Sequence, residues 1–242
     1  MKLRCVGSSS KGNAYALESA NEILLLEAGC PILEVKKAIG WQISKVVGCV
    51  VSHCHVDHIW KIRDYCNIGF PIYTNDETAE FIETVYGEKV LSVPEFQRFR
   101  LGGFTVQPFY LPHNGVTNFG YLIEHSDMGK LLFMTDMEYC RYDFKALGIN
   151  HLLVESNYDM ELVDRSIPNY THKLLGHCSI QTACGIIRTN RSPELRTVTL
   201  CHMGAFSNEE DFKRQADEAA GAGVAVAVAD SGTVFDISLM PF

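Results

Sequence analysis

Three histidines and one aspartate lie within six consecutive positions of the stretch VSHCHVDHIW, residues 51–60. His53, His55, Asp57 and His58 follow an apolar, β-branched run, which predicts a buried strand that leads into a loop. Side chains two apart in an extended segment point the same way, and imidazole together with carboxylate suits zinc, manganese or iron. The pattern predicts a metal site. The alternative interpretation is a polar surface turn, although chance seldom places four such ligands together.

Three further donors follow apolar segments downstream. They are His113 in YLPHNG, Asp136 in LLFMTDME and His202 in TVTLCHMG. Taken alone, each of the two histidines is equally compatible with a buried structural histidine.

Strands and helices alternate around these candidates, which predicts a layered α/β domain. A capping-box pattern at Ser207 and Glu210 opens a helix, and residues 224–229 and 233–239 flank a turn as a predicted hairpin. Ser179 is the predicted cap of a helix over residues 179–189. The other predicted strands cover residues 2–6, 13–18, 22–26, 46–52, 71–74, 96–100, 104–110, 119–124, 130–135, 151–156 and 196–202. The other predicted helices cover residues 31–39, 59–66 and 76–86.

Composition narrows the class of protein. With 242 residues, of which 47% are apolar and 21% charged, the chain is expected to form one large domain or at most two small ones. The nine cysteines are scattered without a C-x-x-C pair, which argues against a disulfide framework or a zinc finger. Neither a signal-peptide core nor a membrane span is evident, so we expect a cytoplasmic protein. The net charge of −8 argues against a broad basic face for nucleic acid but allows a local basic groove.

The H-x-H-x-D-H motif, followed in order by the three downstream donors, resembles the metallo-β-lactamase-fold hydrolases. The resemblance implies one α/β domain over residues 1–242 with a four-layered αβ/βα fold, two β-sheets sandwiched between helices. It also implies two divalent metal ions (Zn, Mn or Fe). The implied ligands are His53, His55 and His113 for one ion and Asp57, His58 and His202 for the other, with Asp136 as the bridge.

Two metals about 3.5–4 Å apart can bind one hydroxide between them and stabilise charge on a phosphate or carbonyl oxygen. In such a site Asp57 also orients the water or accepts its proton, which gives this ligand a catalytic role.

Two more stretches, VESNYD (154–159) and GHCS (176–179), resemble paired motifs of the nuclease-like branch of this superfamily. That branch includes the tRNA-processing RNase Z enzymes and a bacterial 5′–3′ double-strand DNA exonuclease group. The resemblance implies that Glu155 and His177 act together near the scissile phosphate, with the histidine protonating the departing alkoxide. Alternatively, Glu155 caps a strand end and His177 caps the helix at Ser179.

The opening GSSSKGNA (7–14) resembles the start of the exonuclease group, and it implies that Ser9, Lys11 and Asn13 bind substrate through a phosphate. A plain hairpin turn is the alternative. One departure is Glu27 in ILLLEAG, where the family usually has aspartate, and we expect it to support a ligand. Only 65 residues separate Asp136 from His202, which leaves no room for the large cap domain of some relatives.

These observations predict a metal-dependent hydrolase that uses a two-metal-bound hydroxide to cleave phosphodiester bonds, most specifically a DNA exonuclease. Its partner would be nucleic acid, with no membrane involved, and basic side chains are expected on the rim of the site: Lys11, Lys61, Arg63 and Lys173. Two alternatives remain open. One is a dinuclear metal hydrolase of a small ester, thioester or lactone, and the other is a non-catalytic binding module stabilised by metal.

Overall fold

The computed structural model describes residues 1–163, 166, 170–205 and 207–239, except for the side chain of His172. These residues form two seven-stranded sheets. In spatial order, the strands of the first sheet are β14 (Val234–Asp236), β1 (Lys2–Ser9), β2 (Gly12–Glu18), β3 (Ile23–Leu26), β4 (Val46–Val50), β5 (Ile72–Thr74) and β6 (Leu91–Ser92). Those of the second sheet are β13 (Ala225–Val228), β12 (Thr197–Cys201), β11 (His151–Glu155), β10 (Gly129–Met134), β9 (Val116–His125), β8 (Phe104–His113) and β7 (Phe99–Leu101).

Seven α-helices are described in the same parts of the chain. They are α1 (Ile32–Ala38), α2 (Val56–Ile59), α3 (Ile62–Cys66), α4 (Asp76–Tyr86), α5 (Tyr170–Gly176), α6 (Ile180–Asn190) and α7 (Glu209–Ala220).

Polar side chains cap the first turns of α6 and α7 and explain where these helices begin. The predicted cap of α6 is confirmed, because the Ser179 hydroxyl accepts a hydrogen bond from Thr182 N at 3.1 Å. The predicted capping box of α7 is wrong by one residue. Asn208 Oδ1 accepts from Asp211 N at 3.1 Å, whereas the Ser207 hydroxyl donates to the Asn157 carbonyl.

The two sheets face each other across a shared apolar core. Leu24 and Val50 of the first sheet lie in the same buried cluster as Phe133 and Leu153 of the second. These strands are covered by the facing sheet on one side and by helices on the other, and burial on both faces explains why their sequences are nearly continuous apolar runs.

Helices cover the outer face of each sheet and complete the four layers. Val35 of α1 and Ile82 of α4 belong to the buried cluster outside the first sheet. Ile187 of α6 and Phe212 of α7 belong to the cluster outside the second. The predicted α/β fold with two sheets between helices is therefore confirmed.

The predicted hairpin near the end of the chain is wrong. β13 pairs in parallel with β12 in the second sheet, whereas β14 pairs antiparallel with β1 in the first. The turn between them is held against β1, because Gly232 N donates to the Cys5 carbonyl and the Ser231 hydroxyl to the Val6 carbonyl. The segment thus crosses from one sheet to the other.

All nine cysteines are free thiols, in agreement with the absence of a disulfide framework. Among the described helices, none combines the length and the apolar character that a membrane crossing needs.

Candidate active site

The seven predicted metal donors lie where strands end. The H-x-H-x-D-H motif follows β4, His113 is the last residue of β8, Asp136 follows β10, and His202 follows β12. Asp136 and His202 both have φ near +48°, and Glu27, just after β3, has φ of +67°. The left-handed region costs a non-glycine residue about 1–3 kcal/mol and is found mostly at functional sites. It turns these side chains sharply away from their strands.

The first cluster contains His53, His55, His113 and Asp136, each with one ligand atom within 4.8 Å of the others. His113 Nε2 lies 2.9 Å from His55 Nδ1. Asp136 Oδ2 lies 3.8 Å from His53 Nε2 and 3.9 Å from His113 Nε2. Three imidazole nitrogens and one carboxylate oxygen therefore converge on one point.

The hydrogen bonds of this cluster fit a metal cation. His113 Nδ1 donates to the Gly176 carbonyl at 2.6 Å, which directs the lone pair of Nε2 into the cluster. Burial lowers the pKa of His113 to about 4, so the ring is neutral near pH 7. His53 Nε2 is buried and has no hydrogen-bond partner among the described residues. A buried acceptor of this kind is normally satisfied, and a bound cation would satisfy it.

The second cluster contains Asp57, His58, Asp136 and His202. Asp57 Oδ2 lies 3.4 Å from His58 Nε2 and 3.2 Å from His202 Nε2, and Asp136 Oδ2 lies 3.3 Å from His58 Nε2. Burial raises the pKa of Asp57, but His58 and His202 lower it by more, so it lies well below its ordinary value. Asp136 belongs to both clusters, which is the arrangement a bridging ligand requires.

Neighbouring polar side chains orient the second cluster. The Glu27 carboxylate is fully buried, lies 3.4 Å from His58 Nδ1 and accepts from Ser52 N at 3.3 Å. Asn13 Nδ2 donates to Asp57 Oδ2 at 3.0 Å. Carboxylates and amides behind the ligands fix the ring tautomer and the side-chain direction in metal sites.

His177 and Glu155 form a third group with Asp136 and His202. His177 Nδ1 donates to Glu155 Oε1 at 2.7 Å, and Glu155 Oε1 is also 3.1 Å from His202 Nδ1. Burial lowers the pKa of His177, but the Glu155 carboxylate raises it by more, so the net shift is upward. The predicted pair is thus in direct contact beside the clusters, and the helix α6 is capped by Ser179 instead of His177.

Glu155 itself is held by the backbone. Its Oε2 accepts from Met137 N at 2.9 Å and from Cys178 N at 3.0 Å, and the side chain is fully buried. Two backbone donors from separate loops fix one oxygen while the other holds the two imidazoles. The carboxylate therefore joins the loops after β10, β11 and α5.

The three predicted substrate contacts are placed differently from one another. Lys11 is exposed at the turn between β1 and β2, and Ser9 at the same turn is half-buried and accepts from Lys11 N at 3.3 Å. Asn13 is fully buried against Asp57, so its contacts favour a role in positioning the motif over a contact with substrate.

The expected basic rim receives mixed support. Lys173 lies on α5, the helix that leads to His177, and its Nζ is 5.8 Å from the centre of the Tyr158 ring. Lys61 Nζ lies over the Trp60 ring at 3.8 Å. Arg63 donates to the carbonyl of Tyr86 at the end of α4, which holds its charge against that helix.

Sequence reasoning missed two side chains that hold His202 in place. The Ser8 hydroxyl accepts from His202 N at 2.8 Å, and Asn157 Nδ2 donates to the His202 carbonyl at 3.1 Å. Both lie inside stretches that the resemblance had already marked, GSSSKGNA and VESNYD. Nothing in their residue types distinguishes them from ordinary loop polar groups.

The chain is similar to known proteins in sequence. The model of the family described as "Beta-lactamase superfamily domain" matches residues 31–203. A curated relative, exodeoxyribonuclease WalJ of Streptococcus pneumoniae serotype 2 (strain D39 / NCTC 7466), is 26% identical over 240 residues, covering 89% of this chain and 85% of the relative.

Solved structures show the same fold. The metallo-β-lactamase fold protein YhfI of Bacillus subtilis superposes with a TM-score of 0.75 at 20% identity, covering 97% of this chain and 99% of its own. The short form of human tRNase Z superposes with a TM-score of 0.67 at 17% identity, covering 98% of this chain and 99% of its own. Because the family model spans most of the chain and the donor clusters lie at the strand ends of its two facing sheets, this chain belongs to the β-lactamase superfamily and has the metallo-β-lactamase hydrolase fold.

Proposed function

We propose that this chain is a metal-dependent phosphodiesterase that acts on nucleic acid, specifically a DNA exonuclease. The observation that carries the proposal is the 2.7 Å hydrogen bond between His177 and Glu155 beside the donor clusters. Cleavage of a phosphodiester releases an alkoxide, which a positioned histidine can protonate. Hydrolysis of an activated ester has less need of such an acid.

The proposal assigns the donors of the two clusters to two divalent ions. His53, His55 and His113 would hold one divalent ion and Asp57, His58 and His202 the other, with Asp136 between them. Bound there, two divalent ions supply positive charge against a phosphate and lower the pKa of water towards neutrality.

Side chains of the chain itself then position the reacting groups. Glu155 accepts a hydrogen bond from His177 Nδ1 and raises the pKa of the ring. This favours the doubly protonated form, whose proton on Nε2 is available to the leaving oxygen. Asp57 keeps its carboxylate ionised and oriented through Asn13, and it is the candidate acceptor for the proton of the attacking water.

The relatives add independent support for nucleic acid as the substrate class. The curated relative is named an exodeoxyribonuclease, and one structural neighbour is a tRNase Z. The first matches most of both chains at 26% identity, and this favours DNA over RNA.

The test uses protein stripped of metal and reloaded with manganese or zinc. We expect metal-dependent release of mononucleotides from end-labelled duplex DNA that carries a 5′-phosphate. Asp136→Ala should abolish the release, whereas Asp127→Ala, an aspartate on an exposed turn, should retain it. Intact DNA with both metals would contradict the proposal and direct the search to small esters, thioesters and lactones.

A second comparison separates the two hydrolase hypotheses. His177→Ala should lower DNA cleavage about 10²–10⁴-fold, the usual contribution of a general acid. Hydrolysis of p-nitrophenyl acetate by the same variant, if the protein catalyses it, should change far less because its leaving group needs no proton. Equal losses on both substrates would contradict the acid role of His177.

A further inference from the structure

A pocket of about 360 Å³ opens between the loop after β11, helix α5 and the start of α7. Its walls include Tyr158, Leu162, Val163, Lys173 and Phe212. The volume falls within the range of about 300–1,000 Å³ that is common for small-ligand sites. Two aromatic rings and two aliphatic side chains make these walls largely apolar.

The pocket shares its backbone with the candidate active site. Asn157 lies two residues after Glu155 and lines the pocket. Its backbone N donates to the Cys178 carbonyl, and its side chain donates to the His202 carbonyl at 3.1 Å. The loop that lines the pocket is therefore the same loop that holds the backbone of His202.

Lys173 supplies a charge at the same place. It is half-buried, and its carbonyl accepts from His177 N at 3.1 Å, so one helical turn separates the two side chains. Within the described part of the chain, the Lys173 ammonium has no carboxylate partner; its recorded contact is the Tyr158 ring. The two aspartates of the pocket are engaged elsewhere, Asp159 with Gln181 and Asp211 with Arg214.

We propose that this pocket binds the base of the nucleotide whose phosphate is cleaved, with Lys173 contacting that nucleotide's phosphate. A flat aromatic base suits walls formed by Leu162, Val163 and the edges of Tyr158 and Phe212, because its apolar faces are removed from water there. An ammonium that has no carboxylate partner among the described residues favours a ligand that joins an aromatic ring to an anion. A nucleotide has both parts, whereas a simple acyl chain lacks the charge.

The inference rests on the proposed phosphodiesterase function. Two substrates allow the base-binding pocket to be tested separately from the phosphodiesterase activity. Thymidine 5′-(p-nitrophenyl phosphate) carries a base, and methyl p-nitrophenyl phosphate carries none but has the same leaving group. Manganese-loaded protein should cleave both, with kcat/KM about tenfold or more higher for the thymidine ester. Failure to cleave either one would count against the proposed function itself.

Two variants then test the pocket. Val163→Trp should fill it and bring the ratio of the two kcat/KM values close to one. Lys173→Met should lower kcat/KM severalfold for both esters, mainly through KM, and leave their ratio unchanged, because both esters carry the phosphate. Val85→Trp, a matched change on the exposed face of α4, should keep the wild-type ratio. A ratio near one in the wild type, or a ratio that Val163→Trp leaves intact, would overturn the inference.

Direct binding gives a readout that needs no turnover. In calorimetric titration of the metal-loaded proteins, thymidine 5′-phosphate should bind the wild type and Val85→Trp at least tenfold more tightly than Val163→Trp. Inorganic phosphate should not distinguish the three proteins. Equal affinity of thymidine 5′-phosphate for all three would contradict a base-binding pocket even if the phosphodiesterase activity is present. Circular dichroism of each variant excludes misfolding as the cause.

Discussion

Proteins of this family usually have aspartate at the position of Glu27. Replacement of Glu27 by aspartate should nevertheless weaken metal binding in this chain. The Glu27 carboxylate lies 3.4 Å from His58 Nδ1 and 3.3 Å from Ser52 N, and it is fully buried. One methylene is about 1.5 Å of chain. Glu27→Asp would therefore place the carboxylate about 5 Å from the ring nitrogen, which is beyond hydrogen-bond reach.

The magnitude follows from what each contact does. Loss of a carboxylate behind a ligating histidine typically costs 10–100-fold in metal affinity, or about 1.4–2.7 kcal/mol. The amide of Ser52 would also lose its buried acceptor, which adds about 1–3 kcal/mol of instability to the folded protein. We expect weaker binding of one of two zinc equivalents, because Glu27 contacts His58, which belongs to the second cluster only.

The assay is competition for zinc between the stripped protein and a chromogenic chelator, with guanidinium unfolding of the metal-free protein alongside. Glu34→Asp is the matched control, since Glu34 is exposed on α1 and pairs with Lys37. Unchanged affinity for both equivalents in Glu27→Asp would refute the reasoning, because it would mean that the backbone adjusts to the shorter side chain without loss.

Three other expectations concern the backbone, pH and catalysis. A Cβ at Gly29 would lie 1.7 Å from the Asp57 carbonyl oxygen, so Gly29→Ala should displace the motif and lower zinc stoichiometry, whereas Gly185→Ala, with open space, should not. Burial lowers the pKa of His151 to about 4, so only the unfolded chain takes up its proton between pH 6.5 and 4. This group should therefore lower the free energy of unfolding by about 3 kcal/mol as the pH is lowered from 6.5 to 4. In urea unfolding of the metal-free proteins, His151→Gln should lose about 3 kcal/mol less than the wild type over this range. Glu155→Gln should lower kcat for phosphodiesters at least tenfold with little change in KM, and a selective rise in KM would argue against its role in orienting His177.

Local sequence predicted the parts of the site that depend on short stretches. The apolar run before Ser52 and the spacing of His53, His55, Asp57 and His58 together specify a strand and its exit loop, so four donors were placed from ten residues. Downstream donors were found because each follows an apolar strand, and parallel strands such as β11 and β12 end at one edge. The resemblance supplied the order in which to look for them.

Local sequence could not predict the features that depend on long-range packing. Residues 224–229 and 233–239 have the alternation and the turn of a hairpin, yet each segment finds a better partner in a different sheet. Positive φ at Asp136 and His202 is equally invisible, because these residue types seldom adopt it unless the surrounding structure imposes it. The contacts of Ser8 and Asn157 with the His202 backbone depend on that imposed turn.

The acidic net charge is compatible with the proposed nuclease function, because part of the negative charge is buried. Part of the negative charge is not on the surface at all: Glu27, Asp136 and Glu155 are buried around the clusters, and Asp57 is largely so. Carboxylates this close would repel a phosphate. In the metal-free protein they raise the pKa of His58, His177 and His202, which offset part of the negative charge, whereas burial keeps His53 and His113 uncharged. Two divalent cations would reverse the sign of the local field. Substrate binding then depends on metal binding, and the surface charge of the whole protein has little influence on it because charges beyond about 10 Å are screened by salt.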